Sequence, residues 1–227
     1  MAMSFIVADD CIRLGLRAGA IVFRNVGVTS SSPAQRTEMA ETAAAILARF
    51  SSPGAIRADP LVAGFRAILQ KVGVNPKKDP PSVEKLMSLA HKRGDLPAIN
   101  NLVDAYNLVS IRSSCSLGAH DLDRITLPVS LRFLDGSESF IPLASDQSVR
   151  TTAGEYGYVD ASNRLLCRLD ILQADFSKVT EATSNALLIV EGTAAHPAQE
   201  LRIAFADVMK LVIRYCGGTG EIISFPD

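Results

Sequence analysis

Apolar residues along this chain switch between two periods. In "FIVADD" and "GAIVFRNVGV" they run together and are β-branched, which predicts two strands of a buried sheet. In "TSSSPAQRTEMAETAAAILARF" the spacing becomes helical. Ser32 is a good N-cap, Pro33 suits the first helical position, and the Ala-rich run carries the helix to Phe50, where "SSPG" stops it. A second helix starts at "DPLVAGFRAILQKVGV", with Asp59 as cap, Pro60 in the first turn, and Leu61, Phe65, Ile68 and Leu69 on one face. After a proline-rich loop, "PSVEKLMSLAHKR" predicts a helix from Pro81 to Arg93 that Gly94 ends. "LPAINNLVDAYNLVSIRSSC" predicts the next, with Ile99, Leu102, Val103, Tyr106 and Val109 on its apolar side. Asn100, Asp104 and Asn107 share a polar stripe at i, i+4 and i+7.

Beyond Asp123 the pattern turns to β. "LPVSLRFLDGSESFIPL" alternates around Asp135-Gly136, a hairpin signal, and "EYGYVDASNRLLCRLDIL" repeats it around Ser162-Asn163. "ALLIVEG" reads as another strand, "PAQELRIAFADVMKLVIRYCGG" as a long helix ended by Gly217, and "EIISFP" as a closing strand. Helices lie mainly in the first half and a mixed or antiparallel sheet mainly in the second. That distribution predicts an α+β fold. No repeat or long linker interrupts it, so residues 1–227 are expected to form a single compact domain.

Composition narrows the picture. Hydrophobic residues make up 48% and charged residues 21%, so a packed core is expected and disorder is not. Aromatics are only 6% and Trp is absent, which leaves Ala, Val, Ile and Leu to fill the core. The net charge of −1 is not the balance of a protein that coats nucleic acid. A local basic patch can still hold RNA weakly. "NPKK", with Lys71, Lys85, Lys92 and Arg93, could touch phosphates, although a solvated helix face explains the same charges. Cys11, Cys115, Cys167 and Cys216 are far apart and form no C-x-x-C pair, so they read as buried free thiols and no metal site is expected. No run reaches the about 18 apolar residues of a membrane span, and "MAMSFIVADD" lacks the charged start of a signal peptide; a cytoplasmic protein is expected.

No phosphate-binding loop, dinucleotide fingerprint, H-E-x-x-H or G-x-S-x-G motif is present, and no cofactor is expected. "CGGTGE" follows a helix and reads as its terminator. His91, in a basic helix end, and His196, before Pro197, read as structural or solvated. His120 lies beside Asp121 in a Gly-Ala turn, where a carboxylate could orient the imidazole and raise its pKa. It is equally well a structural histidine. The polar stripe Asn100, Asp104 and Asn107 is either the wet face of a surface helix, with Asn100 as a cap, or a set of groups that orient a polar ligand.

At "AINNLVDAYNLVSIRSSCSLGAHDLDRI" the chain resembles the B3/B4 domain of the bacterial phenylalanyl-tRNA synthetase β subunit. There the matching stretch reads N-N-V-V-D-x-T-N and later L-H-A-F-D-L-D. Free-standing proteins built from this domain alone are similar again, through "VGVNPKKDPPSVEKL", "LPAINNLVDAYN", "GAHDLDRI" and "KVTEATSNALLIVEG". The resemblance runs from about Ala20 onward. It implies a B3/B4-like fold and an editing module, which hydrolyses the ester of tyrosine wrongly attached to the phenylalanine tRNA. It implies no ligase, because the synthetic core lies elsewhere in the synthetase.

Carried over residue by residue, the family's pocket asparagine matches Asn107. Its editing histidine falls on Gly118, and its glutamate, counted from Thr183, on Ile189. A His and a Glu stand two positions further on, at His120 and Glu191. A shift of two keeps a side chain on the same face if both segments are strands. The resemblance thus implies a pocket with His120 and Glu191 as catalytic candidates. Asn100, Asp104, Asn107, Gly118, Asp121, Arg168 and Gln173 are its substrate-binding candidates. Two functions follow as expectations: an aminoacyl-tRNA hydrolase acting in trans, with weak and local tRNA contact, or a non-catalytic module that binds an amino acid or the tRNA acceptor end. A third reading is a partner-binding protein that kept the fold and lost the site.

Overall fold

A computed structural model describes residues 4–226. In chain order its first half comprises β1 (Phe5–Val7), α1 (Asp9–Leu14), β2 (Leu16–Arg24), α2 (Pro33–Arg49), α3 (Pro53–Ala58), α4 (Pro60–Lys71), α5 (Ser82–Arg93) and α6 (Asn101–Ser113). The second half comprises β3 (Ser116–Asp121), a 3-10 turn (Leu122–Arg124), β4 (Val129–Phe133), β5 (Tyr156–Asp160), β6 (Leu165–Arg168), β7 (Leu172–Gln173), β8 (Asn185–Thr193), α7 (Ala198–Cys216) and β9 (Thr219–Ser224). This is the α+β architecture expected.

The strands form two sheets, ordered β3-β8-β2-β9 and β1-β4-β5-β6-β7. All named pairings are antiparallel except β1 with β4. The early strand β2 lies against the late strand β8, from Leu16 opposite Thr193 to Arg24 opposite Asn185. Their side chains alternate between two cores. Ile21 and Phe23 of β2, with Ala186, Leu188 and Val190 of β8, join the helices. Ala18, Ala20 and Val22, with Leu187 and Ile189, meet Val129, Leu131, Tyr156 and Tyr158 of the second sheet. The result is three layers, helices on sheet on sheet. Burial on both faces is why β2 and β8 read as continuous apolar runs.

Most helix boundaries follow their caps. Ser32 Oγ accepts from Gln35 N at 3.2 Å, Asp59 Oδ1 from Leu61 N at 3.0 Å, and Asn100 Oδ1 from Val103 N at 2.9 Å. Gly94 ends α5 with φ 71°. The structure departs from expectation in five places. A short helix, α1, follows "FIVA", with Asp9 and Asp10 in its first turn and Gly15 as a left-handed cap. "SSPG" ends α2 but also opens α3, because Ser52 Oγ caps Ala55 N at 3.2 Å. Ile99 is not on the apolar side of α6; it precedes the cap and is 62% exposed. "GAHD" is not a turn but the end of strand β3.

The fifth departure is the hairpin at Asp135-Gly136, which does not form. β4 pairs instead with β5, Phe133 opposite Tyr156, and residues 138–143 make only isolated bridges. Buried Glu138 organises the turn: its carboxylate accepts from Asp135 N, Gly136 N and Thr151 Oγ1 and pairs with Arg132 at 2.7 Å. A side chain thus takes the backbone donors that a hairpin ladder would use. The hairpin around Ser162-Asn163 does form, between β5 and β6, with Asn163 at φ 57°.

Candidate functional site

The strand register decides which groups meet between the two sheets. On β3, Ser116 lies opposite Glu191 of β8, Gly118 opposite Ile189, and His120 opposite Leu187. Gly118, His120, Ile189 and Glu191 all border one cavity of about 230 Å³. Both segments are strands, so the two-residue offset does keep His120 and Glu191 on the face of Gly118 and Ile189. The second sheet supplies Tyr158, Cys167, Leu172 and Gln173, and the turn before β7 supplies Asp170 and Ile171. Ser82, the first residue of α5, and Tyr106 of α6 complete the walls. A Cβ built at Gly118 would meet nothing within 4 Å, so the cavity occupies space that a larger residue would fill.

His120 is buried. Its Nδ1 lies 3.0 Å from Ser177 Oγ and 3.4 Å from Gln173 Nε2, while Gln173 Nε2 donates to Ala119 O at 2.9 Å. Burial brings its pKa down to about 4, so the imidazole is neutral at pH 7. The expectation that Asp121 raises this pKa is not met, because consecutive strand residues point to opposite faces. Asp121 faces away, accepting from Thr183 Oγ1 at 2.7 Å and Asp123 N at 3.1 Å. Nor do His120 and Glu191 form a couple. Their register positions differ by four residues, roughly 13 Å along the sheet.

The strongest electrostatic feature is a pair of acids. Glu191 and Asp170 are only 2% and 5% exposed. Tyr158 donates its hydroxyl to Glu191 Oε2, but Glu191 Oε1 and both oxygens of Asp170 have no hydrogen-bond partner among the described residues. The backbone amides of Ser82 and Asp170 lower the Asp170 pKa against the effect of burial, but neither forms a hydrogen bond of good geometry with it. Burial first, and then the nearby Asp170, push the Glu191 carboxyl up to about 8; burial pushes Asp170 up to about 6. Tyr156, Tyr158 and Cys167 around them are held neutral, chiefly by burial. Leu169, buried beside Asp170, has φ 55°, a conformation that costs a non-glycine residue about 1–2 kcal/mol. The turn that delivers Asp170 to the cavity is therefore strained.

Of the residues expected in the pocket, Gly118, His120, Gln173 and Glu191 border it. The others lie outside it. Asn100 is the cap of α6. Asp104, fully buried, accepts from Ser31 Oγ at 2.5 Å and Ile99 N at 3.0 Å. Asn107 is half-buried, and the α6 residue at the cavity is its neighbour Tyr106, a rotation of about 100° around the helix. Arg168 is held by Glu155 through bonds of 2.6 and 2.5 Å. Asp170, Tyr106 and Tyr158 were not anticipated. For Asp170 a signal existed: a lone acid set directly between Leu169 and Ile171-Leu172. The remaining histidines are structural: His91 Nε2 meets Phe50 O at 3.0 Å, and His196 bridges Thr193 N and Ser114 O at 3.0 and 3.1 Å. Among the described residues no cluster of three His, Cys, Asp or Glu is arranged to hold a metal, and no helix is long and apolar enough to cross a membrane.

Comparison with known proteins places the fold. Residues 64–217 match the profile of the B3/4 domain, and the chain belongs to that family. A phenylalanine–tRNA ligase β subunit of Methanospirillum hungatei is 29% identical over 101 residues, 36% of this chain. The chain spans only 18% of that subunit's length. Among solved structures, an N-terminal fragment of the phenylalanyl-tRNA synthetase β subunit from Pyrococcus horikoshii superposes with a TM-score of 0.53 at 11% identity. It covers all of this chain and 56% of the fragment, a likeness of fold.

Proposed function

We propose that this chain takes the aminoacyl end of a tRNA into the cavity and hydrolyses its ester in trans. The observation that carries this reading is the convergence of Gly118, His120, Gln173 and Glu191 on one amino-acid-sized cavity between the sheets of a B3/4 fold. An ester is already activated, so placing a water and stabilising the oxyanion is sufficient chemistry. His120 is the candidate to place that water. It is neutral at pH 7, and the tautomer in which Nδ1 donates to Ser177 Oγ leaves Nε2 able to accept a proton. Lys85, exposed on α5, acts electrostatically on Asp170 and Cys167 and is a candidate for a local phosphate contact beside the cavity. With a net charge of −1 such contact is weak and falls steeply with salt.

A deacylation screen over a panel of mischarged tRNAs tests the reading. His120→Ala should lower the rate on the responsive tRNA by a factor on the order of 10² or more. An unchanged rate removes His120 from the chemistry. A second reading, non-catalytic binding of an amino acid or acceptor end, draws support from the imidazole pKa of about 4. A general base works best with a pKa near the operating pH. Under that reading wild type binds aminoacyl ligands and releases no amino acid.

A further inference from the structure

We infer that Asp170 and Glu191 select a ligand by its positively charged amine, so that the cavity holds the α-ammonium end of an amino acid, free or esterified. This deepens the proposed reading and rests on the same cavity. Three buried carboxylate oxygens, Asp170 Oδ1 and Oδ2 and Glu191 Oε1, have no hydrogen-bond partner among the described residues. The cavity wall contains no Arg or Lys to neutralise them. Arg168, two residues from Asp170, is fully engaged by Glu155, and Lys85 stays at the surface. Other buried acids differ: Glu84 meets Arg66, Glu138 meets Arg132, and Asp160 meets Arg164.

Buried charge without a partner is costly enough that one of two neighbouring acids keeps its proton. With Glu191 near 8 and Asp170 near 6, the pair carries close to one negative charge at pH 7. An ammonium offers one positive charge and N–H donors, matching the pair's one negative charge and the two unfilled oxygens of Asp170; the proton the pair retains lies on Glu191, whose Oε2 accepts from Tyr158. The surrounding walls, Tyr106, Leu117, Ile171 and Leu172, suit an apolar body attached to that amine. The α-ammonium of an aminoacyl group meets both demands.

The test is equilibrium binding of L-leucinamide and L-phenylalaninamide to the full chain at pH 7, against their N-acetyl counterparts. These amides carry the free amine and an uncharged carboxyl end, and they have no ester to lose. The free amines should bind at least about tenfold tighter, the effect of one charge-assisted hydrogen bond. Asp170→Asn should abolish that preference and Glu191→Gln should reduce it. Both replacements keep shape, Asp170→Asn removes the buried charge and Glu191→Gln replaces a mostly protonated carboxyl, so thermal midpoints at pH 7 should hold or rise. Equal binding of acetylated and free amides overturns the inference. So does binding unchanged by Asp170→Asn, no binding of either amide, or competition showing that the pair prefers Mg²⁺. A protein that binds amines in this pattern yet deacylates no tRNA keeps the inference and loses the hydrolase reading. One that deacylates N-acetylaminoacyl-tRNA as fast as the free-amine form does the reverse.

Discussion

Two buried acidic sites in this molecule are treated in opposite ways. At the start of α6, Asp104 is fully buried and fully employed. It takes the Ser31 hydroxyl and the Ile99 amide, while Asn100 caps Val103 and Asn101 reaches Thr29 N, Gly27 O and Tyr215 O. Between the sheets, Asp170 and Glu191 are equally dry but leave three oxygens empty. In the first arrangement the hydrogen bonds offset much of the cost of burial, although burial still holds the Asp104 pKa above its ordinary value. The second costs stability and stands ready for a ligand. The polar stripe that looked like a ligand site is therefore largely architecture, and the proposed ligand site is built from residues with less conspicuous spacing.

The largest expected effect sharpens this contrast. Asp104→Ala should destabilise by about 2–4 kcal/mol, since it leaves the Ser31 and Ile99 donors unpaired at a buried helix start. Asp170→Asn should do the opposite at pH 8, adding about 1–2 kcal/mol by removing an uncompensated buried charge. Urea unfolding of both variants measures the difference; a loss of equal size at both positions would break the comparison.

Next in size is a pH dependence. The folded-state pKa of Glu191 is raised from 4.5 to about 8, so the folded chain binds more protons than the unfolded chain between those values. Stability should then fall as pH rises through that window, and Glu191→Gln should flatten the fall. Asp170 acts in the same direction between 3.8 and about 6. The other groups that interact with Glu191, namely Tyr156, Tyr158, Cys11, Cys115 and Cys167, have raised pKa values and stay neutral in this range. His120 works on the acid side: lowered from 6.5 to about 4, it withdraws stability as pH falls through that interval. A wild-type profile flat from pH 5 to 8 would count against the buried pair. The smallest effect is at Asn100. Asn100→Ala should cost about 1 kcal/mol through the lost cap and leave ligand binding unchanged; a selective loss of binding with stability intact would return Asn100 to the site.

Helix and strand identities were legible because the apolar period and the caps agree. Ser32-Pro33 and Asp59-Pro60 start helices where their chemistry requires, and Gly94 and Gly217 follow helix ends. The two-residue offset of His120 and Glu191 was also legible, since strand alternation is strictly local. The Asp135-Gly136 turn misled because Glu138, a side chain three residues on, satisfies its amides. Asn107 was expected in the pocket, but helical period alone does not say which stripe of α6 faces the second sheet.

By itself, then, the sequence determined most of the elements, the α+β class, the family resemblance and the common face of Gly118, His120, Ile189 and Glu191, since these depend largely on periods and caps within a few residues. Only the tertiary structure decided that β8 brings Glu191 beside β3, that a strained turn at Leu169 delivers Asp170 to the same cavity, and that Asp104 is satisfied while Asp170 is not. Whether a buried acid has a partner depends on groups up to 73 residues away in the chain, as Ser31 is from Asp104. No local pattern encodes that distance.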